Sequence, residues 1–377
     1  VLIPMCALNV VKGMKLNMKV VITAGGTGGH IFPALALISK LKEKDKDVEI
    51  LYIGTTDRME KDIIPKQGIP YVGIEMKGLN RKNIFKNIDV MKTYFRACKT
   101  AKAELIKFKP DIVIGFGGYI SAPVIYSASK LKIKTIIHEQ NSIPGVSNKF
   151  LSRYVDKVLV SFKESVKDFP CDKTIYTGNP RSEQIKDIEK INKTSLGFKE
   201  NIPFIIIVMG SLGSLTMTKK LKEILPLFKG KKYQILLITG KNYYNSYKDI
   251  KLSRNVKILP FYDNLIGLMK DADLIVTRSG ATTIAEITSI GLPAIMVPSP
   301  YVTNNHQYIN AKALESAGAC ILIKEEDFNK DSLVPLLDKT INDKEKLESM
   351  KKAMLKRGMN DSATRIYDEI IKLVRDE

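Results

Sequence analysis

The chain has 377 residues, 44% of them hydrophobic, which is more than one ordinary core accommodates and enough for two. Its 60 Lys and Arg against 40 Asp and Glu leave a formal charge of +20, favouring an anionic partner such as nucleic acid, phospholipid headgroups or a phosphorylated small molecule. No zinc spacing, ribonucleoprotein aromatic motif or helix-turn-helix punctuation supports nucleic acid, and no apolar run approaches the ~18 residues that span a bilayer.

Residues 1–17 read as a disordered leader. The stretch Val1 to Val11 has the apolarity of a signal segment, but no basic residues precede it and no small-residue cleavage site follows, so Met18 is the expected working start. From Lys19 onward, short β-branched runs (Val20 to Ile22, Val48 to Ile53, Ile112 to Ile114, Thr135 to His138, Lys157 to Val160) alternate with helical text at Pro33 to Lys44 and Val90 to Phe108. That βαβ pattern predicts a parallel, doubly wound sheet. After Gly178-Asn179-Pro180 the text turns polar through Lys199, which reads as an interdomain linker. The alternation then resumes at Phe204 to Val208, Gln234 to Ile238, Val256 to Leu259, Leu274 to Thr277, Ala294 to Val297 and Cys320 to Ile323. At the end, Asp361 to Arg375 places Ala363, Ile366, Ile370, Leu373 and Val374 at helical spacing, and this stripe needs a groove, expected across the first domain. The expected organisation is an α/β protein of two Rossmann-like domains facing a cleft, 18–180 completed by the helix 361–377, and 181–360. Cys6, Cys98, Cys171 and Cys320 show no metal or redox spacing and read as reduced residues of a cytoplasmic chain.

Three apolar runs end in glycine turns: Gly25-Gly26-Thr27-Gly28-Gly29-His30, Gly115-Phe116-Gly117-Gly118-Tyr119 and Gly210-Ser211-Leu212-Gly213-Ser214. Bare amides at a strand-to-helix turn hold anions. A dinucleotide fingerprint fails because Ile31 stands where the third glycine belongs, and there is no Gly-Lys-Ser/Thr P-loop. His30 falls where the helix at Pro33 begins. A helix N-terminus disfavours imidazolium, so this histidine is expected to stay neutral and able to accept a proton. His138 and His306 also sit in strand-end or loop text, where open α/β sheets bind ligands, yet no spacing among the three matches a metal site.

Six segments, in this order and spacing, resemble the MurG family of peptidoglycan N-acetylglucosaminyltransferases. They are Ala24 to His30, Gly115 to Tyr119, His138-Glu139-Gln140-Asn141, Thr177 to Arg181, Arg278 to Glu286, and Gln307 to Ala311. The resemblance runs from Met18 to the C-terminus. It implies the GT-B architecture and inverting transfer of N-acetylglucosamine from UDP-GlcNAc to the muramoyl 4-hydroxyl of lipid I, giving lipid II.

By that resemblance the second domain holds the donor. Ser211 and the helix start at Ala281, Thr282 and Thr283 meet the diphosphate, Ile284 and Ala285 belong to the same substrate-binding set, and Glu286 meets the ribose, Tyr262 the uracil, Gln307 the sugar and Arg181 the nucleotide end. Thr27, Gly28, Gly29, Tyr119, Glu139 and Asn141 surround the acceptor, with His30 as candidate general base and Glu139 as the alternative base. The chain departs from the family's commoner text at Met209, Arg181 and His306. No cofactor and no obligatory metal are expected, because oriented amides stabilise the leaving diphosphate.

The basic, apolar segment Lys77 to Ile88 suits docking on the anionic cytoplasmic face of the membrane through Leu79, Ile84, Phe85 and Ile88. The competing readings are a UDP-GlcNAc 2-epimerase, a non-catalytic nucleotide-sugar sensor and, weakest, a nicotinamide dehydrogenase. An epimerase needs catalytic carboxylates around the sugar, a sensor predicts binding without turnover, and a dehydrogenase needs the missing glycine.

Overall fold

A computed structural model describes residues 17–78, 87–210 and 213–375. Residues 1–16 of the expected leader lie outside the described residues, as do Leu79, Ile84, Phe85 and Ser211.

Seven strands form the first sheet: β1 (Lys19–Ala24), β2 (Glu49–Thr55), β3 (Tyr71–Ile74), β4 (Ile112–Gly117), β5 (Lys134–Glu139), β6 (Lys157–Val160) and β7 (Thr174–Tyr176). They lie in the order β3-β2-β1-β4-β5-β6-β7, and every pairing is parallel. The β-branched runs have this pairing because both of their faces are covered. In β1, Val20 and Ile22 pack towards the helices Gly28–Lys44 and Ser362–Val374, whereas Val21 packs towards Asn87–Phe108 and Ser121–Lys130.

The second sheet has six parallel strands: β8 (Phe204–Val208), β9 (Gln234–Ile238), β10 (Val256–Leu259), β11 (Leu274–Thr277), β12 (Ala294–Met296) and β13 (Cys320–Leu322). Their order is β10-β9-β8-β11-β12-β13. In each sheet the strand order reverses beside the first strand, between β1 and β4 and between β8 and β11. Open α/β sheets receive ligands at such switch points. The two glycine turns of the first domain, Gly210 after β8 and the Ser279-Gly280 turn after β11 sit at these two places.

Three details differ from the sequence reading. Strands β3 and β7 lack a continuous apolar run because they are edge strands with mostly half-buried residues. The helix expected from Pro33 begins at Gly28, so His30 lies in its first turn and Pro33 lies inside it. The stretch from Arg181 to Lys199 is packed structure: Arg181–Gln184 is helical, and Ile185, Ile188, Ile191 and Phe198 join the core of the second sheet. Their apolar side chains are diluted by charge in the text and converge only in space.

The C-terminal helix Ser362–Val374 buries Ala363, Ile366, Ile370 and Ile371, and packs against Gly28–Lys44 of the first domain. Glu183 ties it down, accepting from the Thr364 amide at 2.8 Å and hydroxyl at 2.7 Å while pairing with Lys40 at 2.9 Å.

Candidate active site in the interdomain cleft

Turn geometry comes first. Gly26 takes φ +91°, and Thr27 precedes the following helix with extended backbone and no side-chain capping bond, its hydroxyl lying 3.5 Å from His30 Nδ1. The amides of His30 and Ile31 bond back to the Thr27 carbonyl, which leaves those of Gly28 and Gly29 without a helical acceptor. The neighbouring turn is built against this one. Gly25 donates to the Gly117 carbonyl at 3.3 Å, and a Cβ on Gly117 would come within 3.1 Å of the His30 ring. At Gly118 a Cβ would strike the Gly25 carbonyl.

His30 is half-buried, and its Nδ1 donates to the Gly25 carbonyl at 3.0 Å, which leaves Nε2 with the free lone pair. Loss of water around the ring lowers its pKa below the ordinary 6.5. The bond to Gly25 and the charges of Glu139 and Glu60 oppose that shift, and His306 adds to it. The direction of the shift favours the neutral ring, and His306 of the second domain acts on it electrostatically.

His138 does not face a ligand. It is fully buried, donates from Nε2 to the Gly178 carbonyl at 2.9 Å and accepts from Gln140 at 3.0 Å, and burial pushes its pKa down to about 4. Glu139 is also committed. One oxygen takes the Asn141 amide (3.0 Å) and side chain (3.3 Å), and the other takes the Gly145 amide (2.9 Å) and Asn148 (3.0 Å). Four donors saturate a carboxylate. Glu139 therefore holds the loop that carries Asn141, whereas the hydrogen bonds of His30 are made at Nδ1 and not at Nε2.

Across the cleft, the helix Ala281–Ile290 starts after Gly280 with no side-chain cap, so the amides of Ala281, Thr282 and Thr283 are unclaimed. Ile284 packs into the core of the second sheet, and Ala285 beside it is buried. Glu286 lies one turn on and pairs with Arg181 at 3.1 Å, and burial raises its carboxyl pKa against the pull of that arginine. Gln307 accepts the Ser299 amide at 2.9 Å, which leaves its NH₂ as a donor. Tyr262 packs half-buried at the edge of the second core. Tyr119 stands exposed beside Gly78, and Ile88 is exposed on the helix Asn87–Phe108.

Several residues that build this cleft were given no role from the sequence, although Arg278 and Asn310 lie within two of the six segments that carry the resemblance. Arg278 is buried and pairs with Glu325 at 2.5 Å, and it also donates to the Val297 carbonyl and to Ser214. Asn310, fully buried, accepts from the amide and hydroxyl of Ser142 at 3.0 and 2.7 Å and donates to the Ser279 carbonyl at 3.2 Å, joining the two domains at the cleft. Beyond it opens a groove of about 670 Å³ lined by Pro144, Phe150, Arg153, Lys167 and Ile309. Glu60 sits beneath the first glycine turn. Glu325 and Glu60 lie far along the chain from what they hold, so no motif spacing exposes them.

The model of the glycosyltransferase family 28 N-terminal domain matches residues 20–160, and that of its C-terminal domain matches residues 204–366. A UDP-N-acetylglucosamine--N-acetylmuramyl-(pentapeptide) pyrophosphoryl-undecaprenol N-acetylglucosamine transferase of Bacillus pumilus is 44% identical over 356 residues, covering 93% of this chain and 98% of that protein. The crystal structure of MurG from Acinetobacter baumannii superposes with a TM-score of 0.77 at 27% identity, covering 94% of this chain and 99% of that one. A UDP-GlcNAc 2-epimerase from Neisseria meningitidis, at TM-score 0.65 and 17% identity over 94% of this chain and all of that one, shares the fold alone.

Proposed function

Because the chain belongs to glycosyltransferase family 28, we propose that it transfers N-acetylglucosamine from UDP-GlcNAc to the muramoyl 4-hydroxyl of lipid I, with inversion, giving lipid II. The observation that carries this reading is the unprotonated Nε2 of His30, set between uncapped helix starts that face one cleft.

The steps follow from the groups present. The amides of Ala281 to Thr283 hold the donor diphosphate with Ser211, Glu286 receives the ribose hydroxyls, and Gln307 donates its NH₂ to the sugar. Arg181 shares Glu286 at the nucleotide end, and Tyr262 borders the uracil. Thr27, Gly28, Gly29, Tyr119 and Asn141 line the acceptor side. The acceptor hydroxyl gives its proton to His30 Nε2 as its oxygen attacks the anomeric carbon. The bond to UDP breaks on the opposite face, and the departing charge rests on the oriented amides. No metal is required in this scheme, so activity is expected to be the same with chelator or added Mg²⁺.

Transfer of labelled sugar from UDP-GlcNAc to a short-chain lipid I analogue tests the reaction. Disaccharide formation is expected. Donor binding without turnover on an active acceptor would move the chain to the sensor or epimerase reading, which the identity with transferases disfavours.

Among the described residues no helix is long and apolar enough to cross a membrane. The acceptor nevertheless carries a polyprenyl chain, and we infer peripheral docking on the cytoplasmic face. Ile88, Met91 and Phe95 are exposed at one-turn and two-turn spacing on a single helix, beside Lys92, Arg96 and Lys99. Leu79, Ile84 and Phe85 precede this helix in the sequence and lie outside the described residues. Replacing Ile88 and Phe95 by Ser, which keeps the charge, is expected to reduce cosedimentation with anionic vesicles, and unchanged binding would reject docking here.

A further inference from the structure

We propose that Glu60 is a positioning residue for proton transfer, acting on His30 through the peptide group between Gly25 and Gly26. This rests on the reading of His30 as the base. The Gly26 amide donates to Glu60 Oε2 at 3.1 Å, and the Gly25 carbonyl, the other end of the same peptide group, accepts His30 Nδ1–H at 3.0 Å. Carboxylate, peptide and imidazole thus form one chain of hydrogen bonds.

Three further observations support it. Glu60 is fully buried and no cation pairs with it among the described residues. An uncompensated carboxylate is costly to bury, so its retention beneath the turn calls for a role. Its other oxygen is fixed by the amide and hydroxyl of Thr55 at 3.1 and 2.6 Å, so it cannot turn away. The turn is also shaped to admit it, since a Cβ on Gly25 would lie 2.6 Å from Glu60 Oε1.

The consequence is chemical. A carboxylate accepting from the amide end polarises the peptide and strengthens its carbonyl as an acceptor, because hydrogen bonds in a chain reinforce one another. The carbonyl then holds the Nδ1–H tautomer, keeps Nε2 open to the acceptor hydroxyl, and stabilises the imidazolium that forms when Nε2 takes the proton. The other charged groups facing His30 are Glu139, which also favours the imidazolium, and His306, which disfavours it.

The test titrates the His30 ring by NMR in wild type, Glu60→Gln and Thr55→Val, and measures turnover of Glu60→Gln in His30 and His30→Ala backgrounds. In Glu60→Gln the His30 pKa is expected to fall, with kcat reduced about ten- to hundred-fold and KM for UDP-GlcNAc nearly unchanged. In the His30→Ala background the same substitution is expected to change kcat by less than about two-fold, since the relay has lost its end. Thr55→Val takes a donor from the carboxylate and keeps its charge, so the His30 pKa should stay at or above wild type, which keeps the test open if Glu60→Gln folds poorly.

A His30 pKa unmoved in Glu60→Gln, or lowered in Thr55→Val, would overturn the relay. So would an equal loss of kcat in both backgrounds, which would make Glu60 mere support for the loop. Wild-type turnover by His30→Ala alone would instead remove the base reading, and the titration would still decide whether Glu60 governs the ring.

Discussion

The turn after β1 and the turn after β11 are the same device put to two uses. Each delivers a parallel strand into a helix whose first amides have no side-chain cap, and each has a buried carboxylate near it: Glu60 accepts the Gly26 amide, and Glu325 pairs with Arg278, the residue before Ser279. Under the first turn Glu60 has only neutral donors. Its negative charge reaches the one titratable side chain of the turn, His30. Around the second, Glu325 is neutralised by Arg278, and no side chain from Ser279 to Thr283 titrates. On the proposed reading of His30 as the base, the uncompensated Glu60 lies under the turn that carries proton transfer, and the ion-paired Glu325 lies beside the turn that would receive the anion.

The sharpest way to break this contrast is His30→Ala. It should lower kcat by about 10²- to 10⁴-fold, the usual contribution of a general base, with the Kd for UDP-GlcNAc unchanged. A matching loss of donor affinity, seen by calorimetry, would show the first turn to be a binding element as well. On the other side, Arg278→Ala leaves Glu325 buried without its cation. Thermal or denaturant unfolding should report a loss of about 3–5 kcal/mol, and a loss under about 1 kcal/mol would make the pair incidental to the scaffold.

A third test separates His138 from His30 as a structural histidine. Its native pKa of about 4 lies below the ordinary 6.5, so the unfolded chain binds the extra proton between those values. Stability is therefore full above about pH 6.5 and falls by about 3 kcal/mol as pH drops towards 4. Urea unfolding across that range should show the slope, and His138→Gln should flatten it. The smallest effect is expected for Glu286→Gln, which keeps the shape and loses the charge. Donor Kd should rise about ten-fold with kcat nearly constant, and a fall in kcat alone would move Glu286 from binding into the chemistry.

Much of this was legible in the text. Runs such as Phe204 to Val208 and Lys157 to Val160 coincide with strands because parallel strands covered on both faces read as unbroken apolar runs. The amphipathic stripe of the last helix, together with its need for a groove, anticipated its return to the first domain, where Ile366 and Ile370 complete the core. Glycine pairs at strand ends marked the anion-ready turns, since positive φ at Gly26, Gly117 and Gly118 is a local requirement.

Local sequence was thus enough for every strand except the edge strands β3 and β7, for the glycine turns and for the candidate base, all of which are properties of neighbouring residues. Only the tertiary structure decided which carboxylates are free and which are spent. Glu139 is saturated by a loop that folds back from Asn148, Glu60 reaches Gly26 from another strand connection, and Asn310 meets Ser142 across the cleft. Hydrogen bonds and desolvation act over ångströms in space, and separations of 9, 34 and 168 residues along the chain leave no periodic trace of them.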